Sequence, residues 1–254
     1  MNTPLFTGKT ALVTGGGSGL GRAIALAFAA EGASVVVSGR TAETLDETVQ
    51  LIASQGGRAV AVVADSARAA DAVVLVSQTA TVFGGLDIAI NNAGILRAVG
   101  PIAEAAQQDW QALLDTNVTG VWLAMKYEIA YMLAHGGGAI VNIASNLGAH
   151  LRLPNMGAYA ATKAAVSALT RGAALDYIHQ GIRINAVSPG ASATTMSLRP
   201  GESEADRELR MKSTNPLGRV VRAEEVAAAV VYLASDAAGA VVGTDLVIDG
   251  GSSA

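Results

Sequence analysis

Short runs of apolar, largely β-branched residues alternate along the chain with longer Ala-rich stretches whose apolar positions recur at helical spacing. The runs predict strands at Thr10–Thr14, Ser34–Ser38, Ala59–Ala64, Asp87–Asn91, Ala139–Ile143, Arg183–Val187 and Leu246–Ile248. Most are continuously apolar instead of alternating, the pattern of parallel strands buried on both faces. The stretches between them predict helices at Leu20–Ala30, Ala42–Ser54, Ala67–Val82, Ala105–Ala134, Gly157–Ile178 and Ala223–Ala234, with Asp65-Ser66 as an N-cap signal for the third. Strand–helix alternation of this kind implies right-handed crossovers and a doubly wound, seven-stranded, mainly parallel sheet with helices on both faces. No linker or shift of composition divides residues 1–254, which read as one α/β domain. The polar segment Ser192–Asn215 reads as a loop with one short helix, more a substrate lid than a boundary.

Composition narrows the partners. The chain has 254 residues, 51% of them hydrophobic, yet its longest clean apolar run near the C-terminus, Val226–Ala234, is far short of the ~20 residues that cross a bilayer. Met1–Leu5 lacks a basic start followed by an apolar stretch, which predicts no secretory signal. Cysteine is absent, so thiol chemistry and disulfides are excluded and a cytoplasmic location is expected. A net charge of −4 without a basic block argues against nucleic acid.

The first strand runs into Thr14-Gly15-Gly16-Gly17-Ser18-Gly19-Leu20-Gly21 and then directly into a helix. Glycines permit a tight strand-to-helix turn and let backbone N–H groups approach a pyrophosphate. Gly15, Gly17, Ser18, Gly19 and Leu20 are therefore candidate cofactor contacts. At the end of the second strand, where a carboxylate would bind the ribose hydroxyls and repel a 2′-phosphate, stand Gly39 and Arg40. A guanidinium donates to phosphate, so NADP(H) is expected over NAD(H). Asp65, with Ser66 beside it, either contacts the adenine edge or caps the next helix. Asn91-Asn92-Ala93-Gly94 closes the fourth strand with two amides able to brace the glycine turn and line a cofactor groove.

Tyr159 and Lys163 are four apart on one predicted helix, hence on one face. A neighbouring cation favours the phenolate of a tyrosine whose ordinary pKa is ~10. Fourteen positions upstream, Ser145 ends the fifth strand, at the carboxyl edge where doubly wound folds bind ligands.

With these residues in order, the chain resembles the short-chain dehydrogenase/reductase family in its compact single-domain branch. The likeness spans nearly the whole sequence: the Thr14–Gly21 turn, Asn91–Gly94, Asn117, Ser145, Tyr159, Lys163, Pro189-Gly190 with Thr194, and Asp249-Gly250-Gly251. The resemblance implies a Rossmann fold and hydride transfer between a nicotinamide cofactor and a carbonyl or alcohol carbon. It assigns Tyr159 as general acid or base and gives Lys163 the tasks of lowering the tyrosine pKa and holding the nicotinamide ribose. Ser145 would stabilise the substrate oxygen, and Asn117 would support a water chain to Lys163. Val187, Pro189 and Gly190 would flank the nicotinamide, with Thr194 on its carboxamide or the phosphates. Ser192 stands where many relatives carry Ile or Val near the carboxamide, and Asn146 where a second serine is frequent.

Leu96, Arg97, Asn146, His150, Leu151, Leu153, Met156 and the lid are the expected surroundings of the substrate, mainly apolar, which suits a small ketone or secondary alcohol. His150 is read either as a substrate contact or as a loop histidine with an ordinary hydrogen bond. A 3-oxoacyl thioester reductase and an NAD-dependent polyol or sugar dehydrogenase are the alternative enzymes. Met132–Gly136 and Ala174–Asp176 carry little positive charge to dock an acidic carrier protein. A sensor built on the fold is the non-enzyme alternative, set against the complete Asn117, Ser145, Tyr159 and Lys163 set. A nucleotide-sugar epimerase would need a longer C-terminal domain, and a serine hydrolase an intact nucleophile elbow, which Leu20 interrupts at Gly16–Leu20. No His, Asp or Glu group has metal-ligand spacing. The resemblance further implies a homo-oligomer, tetramer or dimer, packed through Ala105–Ala134 and Gly157–Ile178.

Overall fold

The computed structural model describes residues 4–254, so the expectation drawn from Met1–Leu5 rests largely on residues outside those described. In chain order the elements are β1 (Thr10–Thr14), α1 (Gly19–Ala30), β2 (Ser34–Gly39), α2 (Ala42–Ser54), β3 (Arg58–Val63), α3 (Ala69–Phe83) and β4 (Ile88–Asn91). There follow α4 (Gln107–Leu113), α5 (Gly120–Ala134), β5 (Gly138–Ile143), the short turn α6 (Asn146–Ala149), α7 (Gly157–Tyr177), β6 (Ile182–Pro189), α8 (Glu204–Thr214), α9 (Ala223–Ala234) and β7 (Asp245–Ile248).

All seven strands pair in parallel in the order β3-β2-β1-β4-β5-β6-β7. Alternate residues of each central strand feed two separate cores. Ala11 and Val13 of β1 meet Ile24 and Phe28 of α1, Leu45 and Ile52 of α2, and Val226 and Val230 of α9. Leu12 turns the other way, to Leu75 and Val76 of α3, Met125 and Met132 of α5, and Val166 of α7. Burial on both faces explains why the strands read as continuous apolar runs. Strand order reverses between β1 and β4, and this switch point opens a crevice at the carboxyl edge of the sheet. The topology is the doubly wound Rossmann arrangement.

Two local features differ from the sequence expectation, and a third agrees with it. The stretch Ala105–Ala134 is not one helix: a 3-10 turn at Ile102–Glu104, α4 and a π turn at Leu114–Thr119 precede α5. Asp115, Thr116, Asn117 and Thr119 are weak helix formers, and Asn117 bonds outside the helix to the Ile95 backbone. Asp65 does not cap α3, which begins at Ala69 behind Arg68; it accepts from Ala67 N instead, in a turn before the helix. The Ser192–Asn215 segment holds the eleven-residue α8, started by a capping box between Ser203 and Asp206. No helix among the described residues is long and apolar enough to cross a membrane.

Candidate active site

The glycine turn sits at the switch point, braced from two sides. Asn92 Nδ2 donates to the Thr14 and Gly15 carbonyls, while Thr14 Oγ1 accepts from the amides of Asn92 and Ala93. On the other flank Arg22 donates to the carbonyls of Gly17 and Thr44, to Thr48 Oγ1 and to Glu47. The turn leaves no room for side chains: a Cβ on Gly21 would lie 2.0 Å from the Gly15 carbonyl oxygen. The first amides of α1 are left open, because Ser18 makes no side-chain cap and the first bond back is Arg22 N to Ser18 O.

Beside the turn lies a cleft of about 180 Å³ lined by Gly15, Gly17, Ser18, Gly39, Arg40, Thr41, Thr44, Asp65, Ser66, Ala93, Gly94, Ile95 and Thr116 among others. Open helix amides, a glycine wall and an exposed guanidinium at its far end suit the phosphates and adenosine of a dinucleotide, so the residues present fit that cofactor. Among the described residues Arg40 has no ion pair or side-chain hydrogen bond. Leu20 is half-buried at the start of α1, packed on the adjoining core.

Gly94 carries the cleft to the polar cluster: a Cβ there would meet Lys163 Nζ at 3.4 Å and Asn117 Oδ1 at 3.3 Å. Tyr159, Lys163, Ser145 and Asn117 are all buried. Burial pushes the Tyr159 phenol up to about 12, against the opposing pull of its hydrogen bond with Ser145. Burial also brings the Lys163 ammonium down to about 8. Asn117 grips Ile95 at both backbone atoms, accepting from its N at 2.8 Å and donating to its O at 2.9 Å, and donates again to Thr162 Oγ1. Both of its amide hydrogens are thus engaged within the protein.

The remaining predicted residues divide. Leu96 and Met156, with Trp110 and Leu147, pack against the cluster formed by Leu113, Ala158 and Tyr159, and Leu153 is half exposed. Pro189 ends β6, and Gly190 just after it donates its N–H to Ile248 O. Ser192 is buried and turns its hydroxyl to the Gly190 carbonyl, so its side chain closes the turn. The methyl of Thr194 faces Gly19, 3.2 Å from where a Cβ would stand. Arg97 pairs with Asp109. His150 Nε2 lies 3.0 Å from Asp245 Oδ2, off hydrogen-bond geometry, on a carboxylate that already accepts from Ser167 and Ser188. Asn146 turns to Asp249 instead of the apolar pocket. Sequence reasoning missed Thr41 and Thr44 in the cleft wall, Arg22 bracing the glycine turn, and Arg207 of α8, which is buried and donates to the Thr194 carbonyl. Two threonines three apart where β2 gives way to α2 were the available signal. Among the described residues no group of three or more His, Asp or Glu is arranged to hold a metal ion.

Known proteins match this chain over nearly their whole length. A family model described as enoyl-(acyl carrier protein) reductase matches residues 15–253. The 2,5-dichloro-2,5-cyclohexadiene-1,4-diol dehydrogenase of Sphingobium indicum is 44% identical over 251 residues, 98% of each chain. The cyclohexanol dehydrogenase of an Acinetobacter strain is 41% identical, over 96% of this chain and 95% of that one. The crystal structure of levodione reductase superposes with a TM-score of 0.92 at 36% identity, covering 98% of both chains.

Proposed function

The chain belongs to the short-chain dehydrogenase/reductase family, and from that premise we propose that it reduces a cyclic ketone, or oxidises the matching secondary alcohol, with NADP(H). That it is an oxidoreductase of the CH–OH/C=O couple follows from its relatives. The ring-shaped substrate and the cofactor preference are the further steps. Two relatives are named for six-membered carbocyclic alcohols. Leu96, Leu147, Met156 and Trp110 gather around Tyr159 as an apolar wall suited to such a ring.

The observation that carries the reading is that Lys163 and Asn117 meet Gly94 at the end of the cleft that begins at Arg40, with the Tyr159 ring 6.0 Å from Lys163 Nζ and its phenol hydrogen-bonded to Ser145. In the proposed roles Tyr159 gives its proton to the carbonyl oxygen in reduction and takes it back in oxidation. Ser145 donates to the same oxygen and stabilises its developing charge. Lys163 holds the nicotinamide ribose and supplies positive charge beneath the phenol. Asn117 fixes the 93–95 loop through its grip on Ile95 and supports a water chain to Lys163. Pro189 and Gly190 flank the nicotinamide, Thr194 closes over the diphosphate, and Ser192–Asn215 covers the substrate as a lid. The bound cofactor supplies hydride transfer at its nicotinamide carbon. Arg40 takes the 2′-phosphate, since Gly39 offers no carboxylate to the ribose. A cytoplasmic homo-oligomer completes the proposal, on composition and family likeness.

A panel of cyclic, aryl and aliphatic ketones, run with NADPH and NADH, tests the reading. Highest kcat/KM for a six-membered cyclic ketone with NADPH is expected. A clear preference for NADH, or for an open-chain substrate, overturns the corresponding half.

A further inference from the structure

Ser145 sits on a loop pinned at two places. Gly148, at φ +125°, lies so close to α7 that a Cβ would fall 2.6 Å from the Ala160 carbonyl oxygen and 2.9 Å from Ala164 N. This contact sets the loop against the helix that carries Tyr159 and Lys163. The second anchor is Asn146, buried next to Ser145, whose Nδ2 donates to Asp249 Oδ2 at 3.2 Å across 103 residues of sequence.

Asp249 is a junction. Its Oδ1 accepts from Gly251 N, and its backbone carbonyl accepts from Asn215 Nδ2 at 3.0 Å. Asn215 ends α8, with its N–H on Met211 O and its Oδ1 accepting from Leu217 N. Gly190, in the turn after β6, packs so closely that a Cβ would stand 2.7 Å from the Asp249 Cβ. The serine loop, the Pro189-Gly190 turn and the C-terminal end of the lid segment therefore meet on one residue. Hydrogen bonds from Ser253, Asn146 and Gly251 outweigh burial and hold the Asp249 carboxyl below its ordinary range, so it accepts from Asn146 as a carboxylate.

We propose that Asn146 and Asp249 form a positioning pair that sets Ser145 relative to Tyr159 and transmits the seating of the lid segment to it. This rests on the reading of Ser145 as the donor to the substrate oxygen. Neither residue touches the reacting atoms; each acts through the loop it holds.

The test uses Asn146→Asp, Asp249→Asn, the double exchange, and Asn146→Ser, assayed with NADPH and the ketone turned over fastest. Cofactor Kd is read in parallel from NADPH fluorescence. Asn146→Asp sets two carboxylates against each other in a buried place, where one must take up a proton. Relative to wild type at the same pH, its kcat is expected to fall about tenfold at pH 9 and to recover toward pH 6, with cofactor Kd changed less than about twofold. The exchange N146D/D249N restores an amide–carboxylate pair and is expected to return kcat at pH 9 to within about threefold of wild type. If the aspartate variants do not fold, Asn146→Ser decides, since its hydroxyl is too short to reach Asp249: a several-fold loss of kcat at unchanged Kd supports the pair. A wild-type pH profile for a folded Asn146→Asp, no rescue by the exchange, or wild-type kcat for Asn146→Ser overturns it. Ser145→Ala keeps the two readings apart. Full turnover in that variant removes Ser145 from its role, whereas loss there with normal Asn146 variants defeats only the positioning pair.

Discussion

The Lys163 ammonium donates to the Ile143 carbonyl at 2.8 Å and lies 6.0 Å from the centroid of the Tyr159 ring. The helical spacing of four brings the two residues to one face, as the sequence predicts, yet the nearest acceptor to Nζ is the end of β5 and not the phenol oxygen. The sheet thus holds the lysine's charged end in position beside the Tyr159 ring. Burial dominates both groups and moves them in opposite directions, the phenol to about 12 and the ammonium to about 8. Each is shifted toward its neutral form.

Tyr159→Phe keeps the ring in its cluster with Leu113 and Ala158 and removes only the proton donor. General acid catalysis contributes about 10²- to 10⁴-fold, so kcat is expected to drop by that order while NADPH Kd stays within a factor of about two. Retention of more than a tenth of wild-type kcat would take Tyr159 out of the proposed chemistry.

The two shifted groups set a pH profile. On rising pH the pair loses its first proton near 8, and that proton belongs to the pair, since Tyr159-OH with neutral Lys163 and phenolate with ammonium hold the same number. Reduction needs the fully protonated pair, so its kcat/KM is expected to be level below about pH 8 and to fall above it. Oxidation needs the singly deprotonated pair and is expected to rise through the same region. Lys163→Arg keeps its charge throughout and should lose the break in the reduction limb. An unaltered break in that variant assigns it to another group.

Much of this architecture is written locally. β1 and α2 begin and end where their apolar patterns do, and the glycine turn announces itself through its composition. What escapes the sequence is long-range. Nothing around Asn146 points to Asp249, and nothing in α5 says that Glu128 faces the sheet, because helical spacing yields a face without naming its partner. His150 shows the same gap: its role depends on Asp245, 95 positions away, whose carboxylate no local pattern places beside it. The π turn at Leu114–Thr119 is legible only in hindsight, through its weak helix formers and the tertiary grip of Asn117.

Cofactor choice is open to a single substitution. A Cβ on Gly39 would meet only Leu45 Cδ2 at 3.6 Å, an ordinary contact, so Gly39→Asp fits without disturbing β2. Its carboxylate would repel a 2′-phosphate and accept from ribose hydroxyls. The ratio of kcat/KM for NADPH to that for NADH is expected to fall by on the order of 100-fold, about 2.7 kcal/mol of discrimination. An unchanged ratio would place the 2′-position of the ribose elsewhere than at Gly39 and Arg40.

Glu128 lies 1% exposed between α5 and the sheet and accepts from Asn91 Nδ2 at 2.9 Å, which also donates to Asn142 Oδ1. Asn142 in turn donates to Thr170 Oγ1, so the network reaches α7. Burial raises the Glu128 carboxyl to about 7, against the pull of the Asn91 bond. Between its ordinary value of 4.5 and about 7 the folded protein therefore holds a proton that the unfolded chain releases. Stability from this group is complete below about pH 4.5 and is lost as pH rises through about 7; above that the folded state carries a buried charge. The cost at pH 8 is roughly 3 kcal/mol at 1.36 kcal/mol per pKa unit. Glu128→Gln keeps the shape and the acceptor for Asn91 but cannot ionise. Its ΔG of unfolding is expected to match wild type near pH 5 within about 1 kcal/mol and to exceed it by up to roughly 3 kcal/mol at pH 8. Urea unfolding at the two pH values measures this, and a variant equal to or weaker than wild type at pH 8 would mean that Glu128 keeps its charge in the folded state at no cost.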